Sequence, residues 1–191
     1  MNFFKHPTAI IDDPAIIGDG TQVWLFTHIC AFAQIGSDCI LGQNVFIDKH
    51  VHIGNRVKIQ NNVSVYEGVT CEDEVFLGPS VVFTNIPNPR SAISRKHAFV
   101  PTLIKKGATI GANATIICGN EIGEYALIGA GAVVTKPVLA YALVTGNPAS
   151  QKGWVSEYGH KLEFDEKNKA ICPESGQQYQ LTIEGLKKIT P

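Results

Sequence analysis

Three polar residues that could hold a small polar ligand recur at intervals of eighteen: Lys49, Glu67 and Asn85. An amide oxygen accepts a hydrogen bond from an amine, and a carboxylate accepts one from a hydroxyl or an amine. Arg90 follows in the sequence Asn-Pro-Arg, and its planar guanidinium matches a carboxylate or a phosphate. Two alternatives stay open at this point, because Glu67 could instead pair with Lys49, which is slightly favoured, and Arg90 could be a solvated loop charge.

A six-residue repeat explains why a spacing of eighteen brings side chains together. From residue 11 to residue 83 every sixth residue is apolar, and the residue two positions before each is small or β-branched. This double pattern is typical of a hexapeptide solenoid, in which each hexad supplies a short strand and a turn. Three hexads make one triangular coil, so residues eighteen apart stack in neighbouring coils. Glycines that follow the apolar position are expected to serve turns with unusual backbone angles; they are Gly18, Gly36, Gly42, Gly54 and Gly78.

The repeat is interrupted once. It resumes at Ile104, and the interval from Phe83 is not a multiple of six. Residues 85–101 are therefore predicted to leave the coil as a loop, with function favoured over disorder, and Asn85 stands at its entrance. Residues 43–44 and 61–62 form a second polar row, in which ligand binding by Asn62 and a purely turn-forming role are equally supported.

Length and composition indicate one main domain with a small addition. The sequence predicts a solenoid over residues 1–150 and a small cap over 151–191, with short strands at 161–164, 169–172 and 178–183 followed by a polar end. The net charge of −1 gives no electrostatic reason to expect nucleic acid or a membrane surface, and no apolar run reaches membrane-spanning length. The first residues do not open a secretory signal, so we expect a cytoplasmic location.

The five cysteines do not indicate a metal cluster. Cys39 and Cys71 fall on the apolar lattice, which predicts that both are buried in the core. No two cysteines form a Cys-x-x-Cys pair, so no metal is predicted.

Four motifs carry a family resemblance. They are Gln-Asn-Asn-Val-Ser-Val-Tyr at 60–66, Val-Phe-Thr-Asn at 82–85 with Asn-Pro-Arg at 88–90, Gly-Ala-Thr-Ile-Gly-Ala-Asn at 107–113, and Val-Thr-Gly-Asn-Pro-Ala at 144–149. With the hexads they resemble the left-handed β-helix acyltransferases, and more closely the bacterial N-acetyltransferases of UDP-2-acetamido-3-amino-2,3-dideoxyglucuronate in O-antigen synthesis. The resemblance implies an all-β left-handed parallel β-helix, acetyl-CoA as co-substrate, a UDP-linked amino sugar as acceptor, and a homotrimer with active sites between subunits.

The resemblance also implies roles for single residues. Asn85 corresponds to the asparagine that touches the reacting amine, with Glu67, Arg90 and Asn62 as candidates for binding the substrate. Backbone amides near two alanines should meet the pantetheine arm of the cofactor, and three later residues should lie near its adenine; these are Ala112, Ala130, Lys136, Asn147 and Pro148. In the tail, relatives carry two cysteine pairs that could hold zinc. Here only one of the four cysteines is present, so a metal-free cap is expected; the four positions are Ser156, Gly159, Cys172 and Ser175.

A histidine base is not required by this chemistry. Many hexapeptide acyltransferases use one, yet none of the six histidines stacks on Asn85 at a spacing of eighteen. His97 and His28 are the best candidates, and a surface role is favoured for both. Three other functions remain open: acetylation of a dTDP-linked 3-amino or 4-amino sugar, a γ-type carbonic anhydrase in which His28, His50, His52 or His97 would converge on zinc, and a non-catalytic solenoid.

Overall fold

The computed structural model describes residues 2–189, and there the chain is built from short β-strands, turns and one long loop. No helix among these residues has the length and the hydropathy needed to cross a membrane. The strands of the coil are β1 (Phe4–Lys5), β2 (Ile10–Ile11), β3 (Ile16–Ile17), β4 (Gln22–Val23), β5 (His28–Ile29), β6 (Gln34–Ile35), β7 (Ile40–Leu41), β8 (Phe46–Ile47), β9 (His52–Ile53), β10 (Lys58–Ile59), β11 (Ser64–Val65), β12 (Val69–Cys71), β13 (Phe76–Leu77), β14 (Val82–Phe83), β15 (Thr102–Ile104), β16 (Thr109–Ile110), β17 (Thr115–Ile116), β18 (Glu121–Ile122), β19 (Leu127–Ile128), β20 (Val133–Val134), β21 (Ala142–Thr145) and β22 (Ser150–Trp154). The tail adds β23 (Lys169–Ile171), β24 (Gln178–Thr182) and β25 (Gly185–Ile189).

From β1 to β20 every third strand of the coil joins the same sheet, so the coil has three faces. The first face contains β1, β4, β7, β10, β13, β16, β19 and β21, with β22 added antiparallel at its end. The second face runs from β2 to β20, and the third runs from β3 to β18. The predicted fold class, an all-β parallel β-helix of hexapeptide repeats, is confirmed.

The register of the sheets shows where the coil is interrupted. Paired residues are eighteen apart in most of the coil, as in Lys58 with Phe76. Across the loop they are thirty-three apart, as in Phe76 with Thr109, and the spacing of eighteen then returns, as in Thr109 with Leu127. The insertion therefore leaves the coil between β14 and β15 without changing how the later coils stack.

The apolar lattice forms one continuous core. The positions predicted to point inward are buried from Ile17 onward, including Cys39 and Cys71 as expected. The burial of large aliphatic side chains in stacked coils supplies the main driving force for folding. Two polar residues at inward positions find partners, since Thr27 donates a hydrogen bond to the Gly42 carbonyl oxygen at 2.8 Å and Asn120 donates one to the Ile117 carbonyl oxygen at 2.8 Å. The buried Thr102 hydroxyl has no hydrogen-bond partner within residues 2–189.

The glycines that follow the apolar position were expected to provide unusual backbone angles at turns, and this prediction was wrong. Positive φ angles occur three residues after the apolar position, where non-glycine residues such as Asn44 (58°) and His50 (57°) adopt them. The glycines directly after the apolar position are needed because neighbouring coils approach closely. A Cβ atom added to Gly18 would lie 2.5 Å from the backbone carbon of Gly36, and one added to Gly36 would lie 2.5 Å from the Gly54 carbonyl oxygen.

The tail also differs from its prediction. Residues 161–164 form no strand apart from a single bridge between Val155 and Lys161, whereas the end predicted to be only polar contains β25. Leu186 in β25 is buried in a second small core with Tyr179 and Cys172, which explains why this strand forms. Trp154 packs against both this core and the core of the coil.

Candidate functional site

The loop returns to the coil beside the residue at which it leaves. The Val100 amide donates a hydrogen bond to the Asn85 carbonyl oxygen at 2.9 Å. The returning segment passes between two glycines with positive φ, Gly68 (97°) and Gly119 (86°), and the Gly119 amide donates to the Pro101 carbonyl oxygen at 3.1 Å. A Cβ atom on Gly119 would lie 3.1 Å from Val100 Cγ1, so a side chain there would crowd the returning loop. Asn85 is therefore held at a fixed point by the closure of the loop.

Thr84, the residue directly before Asn85, is hydrogen-bonded to the next coil. The Thr84 amide donates to the Ile116 carbonyl oxygen at 3.1 Å, and Thr84 Oγ1 accepts a hydrogen bond from the Cys118 amide at 2.9 Å. Asn85 itself is half-buried, and within residues 2–189 its side-chain amide makes no hydrogen bond. The side chain thus combines a fixed backbone with free donors and acceptors.

Glu67 lies one coil before Asn85 at the same corner, between the second and third faces. Its carboxylate is 3.5 Å from Lys49 Nζ, which is the pairing that the sequence slightly favoured. Its backbone amide donates to Asp48 Oδ2 at 3.3 Å, and Asp48 Oδ1 accepts from the Lys49 amide at 2.8 Å. The stack predicted from the spacing of eighteen is present, and Asp48 braces its turns.

Arg90 lies in the exposed part of the loop. Its Nη1 donates a hydrogen bond to the Pro89 carbonyl oxygen at 3.0 Å, and most of the guanidinium remains open to solvent. Arg95 in the same loop is partly buried, and its Nε atom has no hydrogen-bond partner within the described chain. The loop therefore carries cationic groups that protein acceptors do not saturate.

Asn62 lies at a different corner, between the first and second faces. Its Oδ1 accepts a hydrogen bond from Asn44 Nδ2 at 3.0 Å, and both residues have positive φ angles near 60°. Asparagine tolerates this backbone region, so a structural role accounts for the residue type. The corner of Asn62 is separated from that of Asn85 by the width of the second face.

The alanines predicted to lie near the cofactor share the corner of Asn62, in later coils. The Gly131 amide donates to the Ala112 carbonyl oxygen at 2.8 Å, which links the two turns that contain Ala112 and Ala130. Lys136 is exposed and lines a cavity of about 390 Å³ at the end of the coil, together with Gln151. The two remaining candidates are exposed in the turn after β21; they are Asn147 and Pro148. One chain alone does not bring any of these residues to Asn85.

The histidines do not converge. His28 lies on the second face, His52 on the third face, His50 at the corner between them, where it stacks on Phe32 with ring centroids 5.3 Å apart, and His97 in the loop. The zinc arrangement of a γ-type carbonic anhydrase is therefore not assembled within residues 2–189 of one chain.

One cluster of potential metal-binding side chains was not predicted from the sequence. His28 Nε2 is 2.9 Å from Asp12 Oδ2, and the ligand atoms of Asp12, His28 and Cys30 all lie within 4.8 Å of one another. The signal was available, because Asp12 and Cys30 are eighteen residues apart and His28 precedes an inward position of the same face.

Comparison with known families supports the repeat assignment at two places. A family described as "Bacterial transferase hexapeptide (six repeats)" matches residues 101–136, and one described as "Hexapeptide repeat of succinyl-transferase" matches residues 33–67. The chain is built from hexapeptide repeats. Together these matches cover coils on both sides of the loop.

Two curated relatives are similar in sequence to part of this chain. A dTDP-3-amino-3,6-dideoxy-alpha-D-galactopyranose 3-N-acetyltransferase from Aneurinibacillus thermoaerophilus is 50% identical over 84 residues, which cover 44% of this chain and 43% of the relative. A 2,3,4,5-tetrahydropyridine-2,6-dicarboxylate N-acetyltransferase from Staphylococcus aureus is 38% identical over 80 residues, which cover 42% of this chain and 30% of the relative. The chain thus spans less than half the length of these relatives.

A solved structure resembles this chain in fold. The acetyltransferase domain of PglB from Neisseria gonorrhoeae, in complex with acetyl coenzyme A, superposes with a TM-score of 0.50 and 20% identity, covering 77% of this chain and 56% of that one. At this identity the likeness concerns the fold alone.

Proposed function

We propose that the protein is an acetyl-CoA-dependent N-acetyltransferase that acts on the 3-amino group of a nucleotide-linked amino sugar. The observation that carries the proposal is Asn85, which lies at the mouth of the loop, one coil from Glu67, and whose side-chain amide has no hydrogen-bond partner among residues 2–189. The curated relative from Aneurinibacillus supports it, since its name gives the 3-amino group of a dTDP-sugar as the acetylated position.

The preferred acceptor is a UDP-linked 2-acetamido-3-amino-uronic acid used for a bacterial surface polysaccharide. The resemblance of the Phe-Thr-Asn and Asn-Pro-Arg segments to that enzyme group supports this choice. The exposed guanidinium of Arg90 supports an anionic acceptor, because it can bind a carboxylate or a diphosphate with two parallel hydrogen bonds. The dTDP-linked 3-amino sugar is the second candidate, favoured by the relative's name.

The reaction needs a neutral amine placed against the thioester carbonyl. Asn85 Oδ1 accepts a hydrogen bond from the amine and directs its lone pair to the acetyl carbon. The new C–N bond forms and the C–S bond breaks, and the amine proton passes through water or a substrate group to the CoA sulfur, so that CoA leaves as the thiol. Positioning supplies much of the rate in this scheme, and no histidine base is needed. His28 lies in β5, and Asn85 follows β14 on the same face. These two strands are three strand spacings apart, which corresponds to about 14 Å.

The proposal includes a homotrimer with its active sites between subunits. In one chain Asn85 lies at one edge of the second face, while Ala112 and Ala130 lie at the other. A site between subunits would place the Asn85 corner of one subunit against the alanine corner of the next, with acetyl-CoA running along the later coils towards Lys136, Asn147 and Pro148. A light-scattering mass of three chains is expected. Mixed trimers of Asn85→Ala and Ala130→Trp subunits should regain activity that neither variant has alone.

The test of the activity is release of free CoA with a panel of acceptors. UDP-2-acetamido-3-amino-uronic acid should be acetylated with the highest kcat/KM, ahead of the same sugar without its carboxylate and of dTDP-3-amino-3,6-dideoxygalactose. Preference for the dTDP sugar would replace the proposed acceptor and keep the reaction. No CoA release with any amino sugar would contradict the function itself. We propose a cytoplasmic enzyme without nucleic-acid or membrane partners, in keeping with these soluble substrates.

A further inference from the structure

A cluster of three different metal-binding side chains lies on the first two coils, away from Asn85. Asp12 follows β2, and His28 and Cys30 flank the inward residue of β5, which pairs with β2. The Asp12 amide donates to the Ile29 carbonyl oxygen at 2.9 Å, and the Cys30 amide donates to the Ile47 carbonyl oxygen at 2.8 Å. Stacking of the coils therefore fixes the backbones from which all three side chains extend.

The side chains are already arranged around a common point. His28 Nε2 and Asp12 Oδ2 are 2.9 Å apart, and Cys30 Sγ completes a set of ligand atoms that all lie within 4.8 Å of one another. Tetrahedral coordination with bonds of about 2.0–2.3 Å requires ligand atoms roughly 3.3–3.7 Å apart. Asp12 and His28 would exchange their direct hydrogen bond for bonds to the ion. The carboxylate and imidazole are about 40–50% exposed, which leaves access for an ion and a water molecule.

The surrounding charge favours a cation. Asp48 and Asp12 place negative charge close to the Cys30 sulfur. The same field attracts a divalent ion, and the ion would then neutralise the thiolate that it binds. Oxygen, nitrogen and sulfur together suit zinc, since magnesium and calcium prefer oxygen alone.

We propose that Asp12, His28 and Cys30 form a binding site for a single zinc ion. Asp12 comes from one coil, and His28 and Cys30 come from the next, so the ion would clamp these two coils together. The site is about 14 Å or more from Asn85 along the second face, so its role is structural and independent of acetyl transfer.

The test uses the full-length protein after treatment with a chelator, titrated with Co²⁺ as a spectroscopic probe and then with Zn²⁺. One Co²⁺ per chain should bind with a thiolate-to-cobalt charge-transfer band, and Zn²⁺ should displace it. Cys30→Ser should remove the band, and Asp12→Asn and His28→Gln should each weaken Zn²⁺ binding at least tenfold. His52→Gln is the matched control, since His52 occupies the equivalent outward position on the third face, and it should bind as the unmodified protein does.

A second measurement follows the clamp itself. Zn²⁺ should slow amide hydrogen exchange in β2 and β5 of the unmodified protein and leave exchange in Cys30→Ser unchanged. Absence of the charge-transfer band, or a band that survives in Cys30→Ser and disappears in Cys172→Ser, would overturn the proposal. Equal weakening by His52→Gln and His28→Gln would also overturn it. Acetyl transfer should persist in Cys30→Ser, and because metal titration needs no substrate, the site can be tested even if the proposed activity fails.

Discussion

The backbone of Asn85 is held by hydrogen bonds of its neighbours, while its side-chain amide has no hydrogen-bond partner within residues 2–189. A residue that positions a nucleophile requires both features. Thr84 on one side and the bond from Val100 on the other fix the main chain. We expect Asn85→Ala to lower kcat about a hundredfold while the thermal midpoint and the assembly state stay unchanged, because misplacing the amine costs rate and not stability. Asn88→Ala, an exposed change in the same loop, is the control and should retain activity. Activity of Asn85→Ala close to that of the unmodified enzyme would rule out the proposed role.

Glu67 raises a separate question, because it has a protein partner in Lys49. The pair is partly exposed, so its contribution to stability should not exceed about 1 kcal/mol. If Glu67 also binds the acceptor, Glu67→Gln should raise KM for the sugar about tenfold, since a hydrogen bond to a charged group is lost. Lys49→Ala should leave KM within about twofold of its original value. Steady-state kinetics of both variants test this prediction. If Glu67→Gln and the unmodified enzyme have equal KM values for the sugar, Glu67 serves the ion pair alone.

The sequence predicted some of these contacts and missed others for one physical reason. A spacing of eighteen fixes which residues stack, and the contact between Lys49 and Glu67 follows from it. It does not fix where a side chain points, so the contact between Asp12 and His28 across two coils went unnoticed. The loop that carries Arg90 has no repeat from which its path could be predicted.

At the scale of strands and turns, close stacking of the coils decides which residues are tolerated. Non-glycine residues adopt positive φ angles at many turns, Asn44 and Phe32 among them, although each costs roughly 1–2 kcal/mol in isolation. Hydrogen bonds between successive turns offset this cost, as from the Asn62 amide to the Gln43 carbonyl oxygen at 3.0 Å. Period and phase predicted the strands and the interruption, whereas the reason for the glycines depends on distances between coils that a sequence does not contain.

Gly36 provides the test of that reason. A Cβ atom at this position would lie 2.5 Å from the Gly54 carbonyl oxygen, so Gly36→Ala must push two coils apart. We expect a loss of about 1–3 kcal/mol in the free energy of unfolding, measured by urea denaturation. Gly131→Asn is the control, because Gly131 has open space around its Cβ position and a φ of 69°, which asparagine tolerates. A larger loss in Gly131→Asn than in Gly36→Ala would show that backbone angle, and not stacking, selects glycine here.

At the scale of the whole molecule, the coil and the tail are two packed units joined through Trp154. The tail core contains Tyr179, whose hydroxyl accepts a hydrogen bond from the Glu157 amide at 2.9 Å and donates one to Gln177 Oε1 at 2.8 Å. Tyr141 of the last coil stacks on Tyr125 and meets Tyr179 edge-on, with ring centroids 5.5 and 5.8 Å apart. The tail is therefore docked on the end of the coil through aromatic contacts, and its stability contributes to that of the last coils.

Cys172 makes the stability of the tail depend on pH. The side-chain hydroxyls of Ser156 and Ser175 face its sulfur. Burial raises the pKa of this thiol, but hydrogen bonds from Ser156, Ser175 and nearby backbone amides outweigh burial and lower it to about 7, from 9.0 in an unfolded chain. Between pH 7 and 9 the unfolded state therefore holds more protons, so folding stability rises with pH and the gain is lost as pH falls through 7.

The measurement compares the unmodified protein with Cys172→Ala from pH 6.5 to 9 under reducing conditions, using hydrogen exchange in β23 to β25 as the local probe. The unmodified tail should gain protection across this range, and the variant should gain much less. His160 acts in the opposite direction, because its hydrogen bond with Glu174 raises its pKa and stabilises the fold most below pH 6.5. Both proteins keep this hydrogen bond, whereas the smaller contribution of Cys172 to the raised pKa of His160 is lost in the variant. Burial also raises the pKa of Cys71 to about 12, so its cost begins only as pH passes 9, where the comparison ends. Identical pH profiles for the two proteins would mean that the thiol in the tail stays protonated and that the serines stabilise it only as neutral partners.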